Sequence, residues 1–128
     1  MSNKQKFLKC NHCGNLAGVI HDSGVPMVCC GQPMEELIPN TLDASHEKHV
    51  PVLEVNGNIV RVTIGTVPHP MTEEHLISWA YIATNIGGQR KSLAPNSEPT
   101  VKFALVDNEK VEVVYAYCNM HGLWMGKV

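Results

Sequence analysis

At 128 residues the chain has room for one ordinary domain, or for a small domain followed by one of about 90 residues. Its hydrophobic content of 44% is that of a globular chain rather than a disordered one, and no apolar run approaches the ~18 residues needed to span a bilayer. The net charge of −2 argues against nucleic acid as a partner, because such binding draws on a surplus of Lys and Arg.

The opening Met1-Ser-Asn-Lys-Gln-Lys6 leads into no apolar stretch, so no secretory signal is expected. Five cysteines in such a chain point to a reducing cytoplasm and to metal sites rather than disulfides. Residues 1–36 read as a small unit with short strands at Lys6–Lys9 and Leu16–Ile20. Turns are expected at His21-Asp-Ser-Gly24 and Gly31-Gln-Pro33. A segment this short cannot bury enough apolar surface to fold alone and needs a metal, disulfides or oligomerisation; its four cysteines can recruit the metal. Residues 37–44, with Pro39 and Asn40, read as a linker.

Residues 45–128 read as a second, all-β domain. Val52, Leu53 and Val55 precede an Asn56-Gly57 hairpin turn, and Val60, Val62 and Ile64 alternate with Arg61 and Thr63. A run from Leu76 to Thr84 ends at Gly87-Gly88. Val101, Phe103 and Leu105 alternate with Lys102 and Ala104, and Asp107-Asn108 turns the chain. Val111, Val113, Tyr115 and Tyr117 then alternate with Glu112, Val114 and Ala116, and Leu123–Lys127 closes the chain. Six or seven short strands at this spacing predict an antiparallel sandwich.

The chemistry lies in the cysteines and histidines. Cys10-Asn-His-Cys13 is a Cys-x-x-Cys knuckle, and the adjacent Cys29 and Cys30 supply a second pair of sulfurs. Neighbouring side chains of extended backbone point to opposite sides, so bringing both sulfurs onto one ion strains the geometry. On spacing alone the set suits structural zinc, iron or, less well, a disulfide. His12 reads as an exposed loop residue and His21 as a solvated turn residue.

His49 is expected to open a strand, His69 lies between Pro68 and Pro70, and His75 begins the next strand. Cys118-Asn-Met-His121 sits at a strand end, where Cys-x-x-His can chelate one ion. Four imidazoles with one thiolate are too rich in nitrogen for a structural zinc site of the thiolate type. Five protein ligands suit an octahedral ion with one open position, which fits a redox iron. Met71, Met120 and Met125 read as gap-filling core rather than copper ligands, Trp79 and Tyr115 as core, and His46 as a surface residue.

These motifs, together with Glu47-Lys48-His49-Val-Pro and His69-Pro-Met, resemble desulfoferrodoxin, the two-iron class of superoxide reductase. The likeness covers nearly the whole chain, the first segment being similar to desulforedoxin and the remainder to neelaredoxin. It implies a mostly β protein: a desulforedoxin-like knuckle followed by an immunoglobulin-like sandwich. It implies two irons, a distorted rubredoxin-like centre at Cys10, Cys13, Cys29 and Cys30, and a square-pyramidal centre. In the latter His49, His69, His75 and His121 are equatorial and Cys118 is axial. The implied reaction is one-electron reduction of superoxide to hydrogen peroxide. The resemblance further implies a homodimer fed by a rubredoxin-type donor, and the short apolar runs already argue against a membrane partner. Lys48 becomes the local cation that attracts superoxide, and Glu47 the carboxylate that fills the sixth position of resting ferric iron. Glu47 stands two residues before His49, so extended backbone would carry both to one face. The competing readings are a plain electron carrier and a structural module holding zinc in both sites.

Overall fold

Short alternating runs broken by turn residues form strands here, and they gather into two compact units, Lys4–Ile38 and Pro39–Val128. The structure, a computed structural model, describes residues 5–40 and 46–127. In the small unit β1 (Lys6–Lys9) pairs antiparallel with β2 (Leu16–Val19), and β3 (Val28–Cys29) with β4 (Gln32–Pro33). β5 (Glu35–Glu36) pairs along the other edge of β1. Among the described residues the buried apolar side chains of this unit are Phe7, Leu8 and Cys10. Burying Phe7 or Leu8 contributes about 1.5–3 kcal/mol each. Ordering the backbone costs roughly 1–2 kcal/mol for every residue. The small unit therefore depends on whatever its four cysteines hold.

In the larger unit a single helical turn, α1 (His46–His49), leads into β6 (Pro51–Asn56), β7 (Ile59–Ile64), β8 (Ile77–Thr84) and β9 (Gly87–Ser92). β10 (Thr100–Ala104), β11 (Val111–Cys118) and β12 (Gly122–Lys127) complete it. One sheet has the order β10-β7-β6 and the other β12-β11-β8-β9, every pairing antiparallel. The mostly β sandwich expected from the sequence is the fold observed. The hairpin loop is Gly57-Asn58 rather than Asn56-Gly57, since Asn56 still pairs with Ile59. Gly57 holds φ 64°, the conformation a two-residue loop requires of its first residue. Gly87-Gly88 does not end a run but starts β9.

The inward row of β7 is Val60, Val62 and Ile64, all fully buried as their alternation predicts. They pack with Ile77, Ile82, Phe103, Val114 and Ala116 in the core. In β11 the parity differs from the sequence reading. The ladder to β8 shifts register between Val111 and Val113, and Val114, Ala116 and Cys118 face the core. The residue added at such a bulge switches every later side chain to the other face. Tyr115 and Tyr117 therefore sit across from Tyr81 and Trp79 in a second aromatic row. Trp79 and Tyr117 stack at 5.5 Å. The shift aims Cys118 inward. Met120, expected in the core, is 59% exposed, because it lies in the turn between β11 and β12.

The start of β6 packs against β12. A Cβ on Gly126 would meet the Pro51 carbonyl oxygen, a backbone atom that cannot step aside. Gly126→Ala will therefore destabilise the sandwich by about 1–3 kcal/mol, measured by denaturant titration of the metal-free protein. An unchanged midpoint would show that the two strands can separate at no cost.

Residues 37–40 are tied to one unit or the other. The amide of Leu37 donates to the Phe7 carbonyl. Asn40, at φ 62°, pairs with the edge of β12: its amide donates to Leu123, and its side chain bonds both N–H and C=O of Met125. The rest of the expected linker, and Ser45 with it, lies outside the described residues.

Candidate metal centres

The sulfur cluster is built by two turns. Cys10 follows β1, and the chain folds back so that Gly14 N donates to Cys10 O at 2.9 Å. The Cys13 amide then points at the Cys10 sulfur, 3.4 Å away. This amide is the main reason the Cys10 thiol is held down at about 6. The adjacent pair is solved by backbone conformation. Cys29 ends β3, while Cys30 and Gly31 are the two loop residues of the hairpin, at φ 53° and 74°. Positive φ at both loop residues is the mark of a type I′ turn. The backbone at Cys30 is thus not extended, and the opposed directions expected of neighbouring cysteines do not arise. The strain appears instead as a non-glycine residue in the left-handed region.

The four sulfur ligand atoms lie within 4.8 Å of one another, with Cys13 and Cys29 3.6 Å apart. The cluster does not favour four thiolates by itself. The Cys29 thiol is pushed up by its Cys10 and Cys13 neighbours, and Cys30 is pushed up to about 12, chiefly by Cys13. A cation reverses this, and soft thiolates select zinc or iron. All five cysteines are free thiols, so the disulfide alternative is not realised. His12 and His21 are exposed, as expected.

The second cluster gathers from three places. His49 ends α1, His69 and His75 come from the connection between β7 and β8, and Cys118 and His121 flank the turn from β11 to β12. The four rings form a closed circuit. Centroids are 4.6 Å apart for His49–His69, 4.8 Å for His69–His75, 5.1 Å for His75–His121 and 4.9 Å for His121–His49. Neighbouring planes are steeply inclined, by 73° to 88°. His49 Nε2 and His121 Nδ1 face each other at 3.1 Å, and the Cys118 sulfur is 3.8 Å from the same Nδ1. Ligand atoms of His49, His75, Cys118 and His121 lie within 4.8 Å of one another; His69 joins through its ring neighbours and stands outside that tighter grouping.

Several of the ligand candidates have support of their own. His69 Nδ1 donates to the Pro70 carbonyl at 2.6 Å, which leaves the lone pair on Nε2. Burial holds the His69 imidazole down at about 4, so it is neutral at pH 7. His49 stacks on Trp124 at 4.8 Å, and Trp124 Nε1 donates to the His121 carbonyl at 3.0 Å. Burial pushes the Cys118 thiol up, while the amides of Met120 and His121 oppose the shift. His69 Nε2 and His75 Nε2 are buried without a hydrogen-bond partner among the described residues. Two orphaned imidazole nitrogens beside a buried thiol fit a transition metal.

Lys48 is exposed, and its charge, after burial and His121, helps hold the His75 imidazole below its usual range. The backbone at Glu47 is helical rather than extended, because His46–His49 form a turn of helix. His49 accordingly ends a helical turn instead of opening a strand, and strand alternation no longer links Glu47 to the His49 face. The side chains of His46 and Glu47 lie outside the described residues. Trp124 is a site-supporting residue the sequence reading passed over.

Comparison with known proteins agrees across both units. The desulfoferrodoxin family matches residues 41–127, and the desulfoferrodoxin N-terminal domain matches residues 2–37. Desulfoferrodoxin from Nitratidesulfovibrio vulgaris is 42% identical, with 97% of each chain covered. The desulfoferrodoxin homolog of Archaeoglobus fulgidus is 43% identical over 97% of this chain and 98% of that protein. Among solved structures, the superoxide reductase from Treponema pallidum superposes with a TM-score of 0.82 at 37% identity, covering 97% of this chain and 99% of that one. With both segments matched and relatives this similar end to end, the chain belongs to the desulfoferrodoxin family.

Proposed function

We propose that this chain is a superoxide reductase, consuming superoxide, one electron and two protons and releasing hydrogen peroxide. The observation that carries this reading is the circuit of four imidazoles beside the buried Cys118 sulfur, a donor set suited to iron rather than structural zinc. We assign His49, His69, His75, His121 and Cys118 to one iron, and Cys10, Cys13, Cys29 and Cys30 to a second. Iron, when bound, supplies the one-electron couple.

The residues of the chain do the rest. Neutral imidazoles add no negative charge to the site, so Cys118 is the single anionic ligand and the site stays attractive to an anion. Lys48, exposed and felt at His75, adds positive charge beside it. A net charge of −2 gives no long-range pull on superoxide, so the attraction is local. Glu47, next to Lys48, is the carboxylate that would bind the metal of the oxidised enzyme.

Residues 1–36 are the accessory four-thiolate iron domain, 37–44 the connection and 45–128 the reductase domain. Free cysteines throughout support a reducing, cytoplasmic setting. Among the described residues no helix is long and apolar enough to cross a membrane. Exposed Ile20, Val25 and Val28 on the small unit support pairing of two chains, and the four-thiolate iron suits a rubredoxin-type donor. Sedimentation of the iron-loaded protein tests the pairing.

Pulse radiolysis separates the two entrance residues. Lys48→Ile will slow the encounter with superoxide by about tenfold and flatten its salt dependence. Glu47→Ala will leave the encounter rate unchanged and alter the spectrum of the oxidised enzyme. A Glu47→Ala protein with a slower encounter and an unaltered oxidised spectrum contradicts this division of labour.

A further inference from the structure

We infer that Asn119 is a positioning residue for His75, clamping the backbone on both sides of that histidine to the loop that carries Cys118 and His121. The inference rests on the ligand set proposed above and extends it to a residue outside that set.

His75 is the imidazole with the least support of its own. His69 is fixed through its ring to Pro70, and His49 is stacked on Trp124. Among the described residues no group hydrogen-bonds to the ring of His75, and its Nε2 is buried without a partner. Its orientation must therefore come from the backbone that carries it.

That backbone is held from two directions. On one side Thr72 grips His75 itself: the Thr72 hydroxyl accepts from His75 N at 3.0 Å, and the Thr72 amide donates to His75 O at 2.9 Å. On the other side stands Asn119. Its Nδ2 donates to Glu74 O at 2.9 Å, and its Oδ1 accepts from Leu76 N at 3.0 Å. Its own amide donates to Leu76 O at 3.2 Å. The ladder between β8 and β11 shifts register after Tyr117 and Trp79 and ends at Cys118 and Ile77. The Asn119 side-chain amide continues it, standing in for one more peptide unit. Only an amide offers the donor and acceptor in one plane that this double contact needs. Because Asn119 lies between Cys118 and His121, the clamp locks the third source of ligands to the second. Partners of this kind behind a ligand typically govern metal affinity by 10–100-fold.

The test uses the iron-loaded full chain, with the four-thiolate centre as an internal control. Iron release to a chelator and the optical spectrum are followed for wild type, Asn119→Ala, Asn119→Asp and His75→Ala. Asn119→Ala should release iron from the histidine–cysteine centre about tenfold faster and shift its sulfur-to-iron absorption. The four-thiolate spectrum should stay the same. Asn119→Asp keeps the acceptor for Leu76 N and loses the donor to Glu74 O, so it should fall between the two. If His75→Ala disturbs the centre while both Asn119 variants behave as wild type, the positioning role is wrong and the ligand set stands. If His75→Ala leaves release and spectrum unaltered, the ligand set fails and this inference with it. A loss of thermal stability in Asn119→Ala with wild-type release and spectrum would mark the clamp as merely structural and overturn the proposal.

Discussion

Replacing Cys118 by serine will erase the sulfur-to-iron absorption of the second centre and loosen its iron by more than the 10–100-fold that outer partners are worth. Cys118 is fully buried at the end of β11, on the face that looks into the sandwich. Burial pushes its thiol further up, and the amides of Met120 and His121 soften that cost without removing it. Binding a cation is what makes the thiolate stable here, so metal and thiolate form together. Serine is close in volume, and the core around Ala116 and Val114 needs little adjustment. Its hydroxyl is a far weaker acid and a hard ligand, so neither the proton loss nor the soft bond follows. Circular dichroism of the variant should match wild type, which separates loss of iron from loss of fold. Retention of the absorption would remove Cys118 from the ligand set.

The position of Cys118 also shows where the sequence was readable. Its chemistry was plain from Cys118-x-x-His121, and so were the inward rows of β7, because Val60, Val62 and Ile64 alternate without interruption. The facing of β11 was not. Nearly all its residues are apolar or aromatic, so both parities look equally hydrophobic, and only the register shift after Val111 decides between them. The same limit applies to Cys29 and Cys30. Extended backbone was the natural assumption for adjacent cysteines, yet a type I′ turn at Cys30-Gly31 redirects the second sulfur. Gly31 was the clue, read as part of a turn but one residue too late. α1 is a single turn, too short to give a 3.6-residue period, and it overrode the strand expected at His49. The convergence of His69 and His75 with His49 was legible from the count of ligands and from the family resemblance, not from any local pattern. Trp124 against His49 required tertiary packing that no local pattern carries.

The four-thiolate centre should be separable from the chemistry, and Cys13→Ser will show it. Cys13 is exposed in the knuckle, and its sulfur stands 3.6 Å from that of Cys29. Serine there removes one of four sulfurs and with it the spectrum of that iron. The small unit should also lose most of its stability, because Phe7, Leu8 and Cys10 are all that its described residues bury. The larger unit has a core of its own, from Val60 through Phe103 to Val114, and its own ligands. It therefore has no need of the first iron to hold its fold or its second iron. Pre-reduced Cys13→Ser enzyme, given one equivalent of superoxide, should react at the wild-type rate. Its second-centre spectrum and the main thermal transition should also be unchanged. Repeated turnover is a different measurement, since an electron must then arrive from a donor. A rate lost already in the single turnover, or second-centre iron lost with the first, would show that the two units act as one.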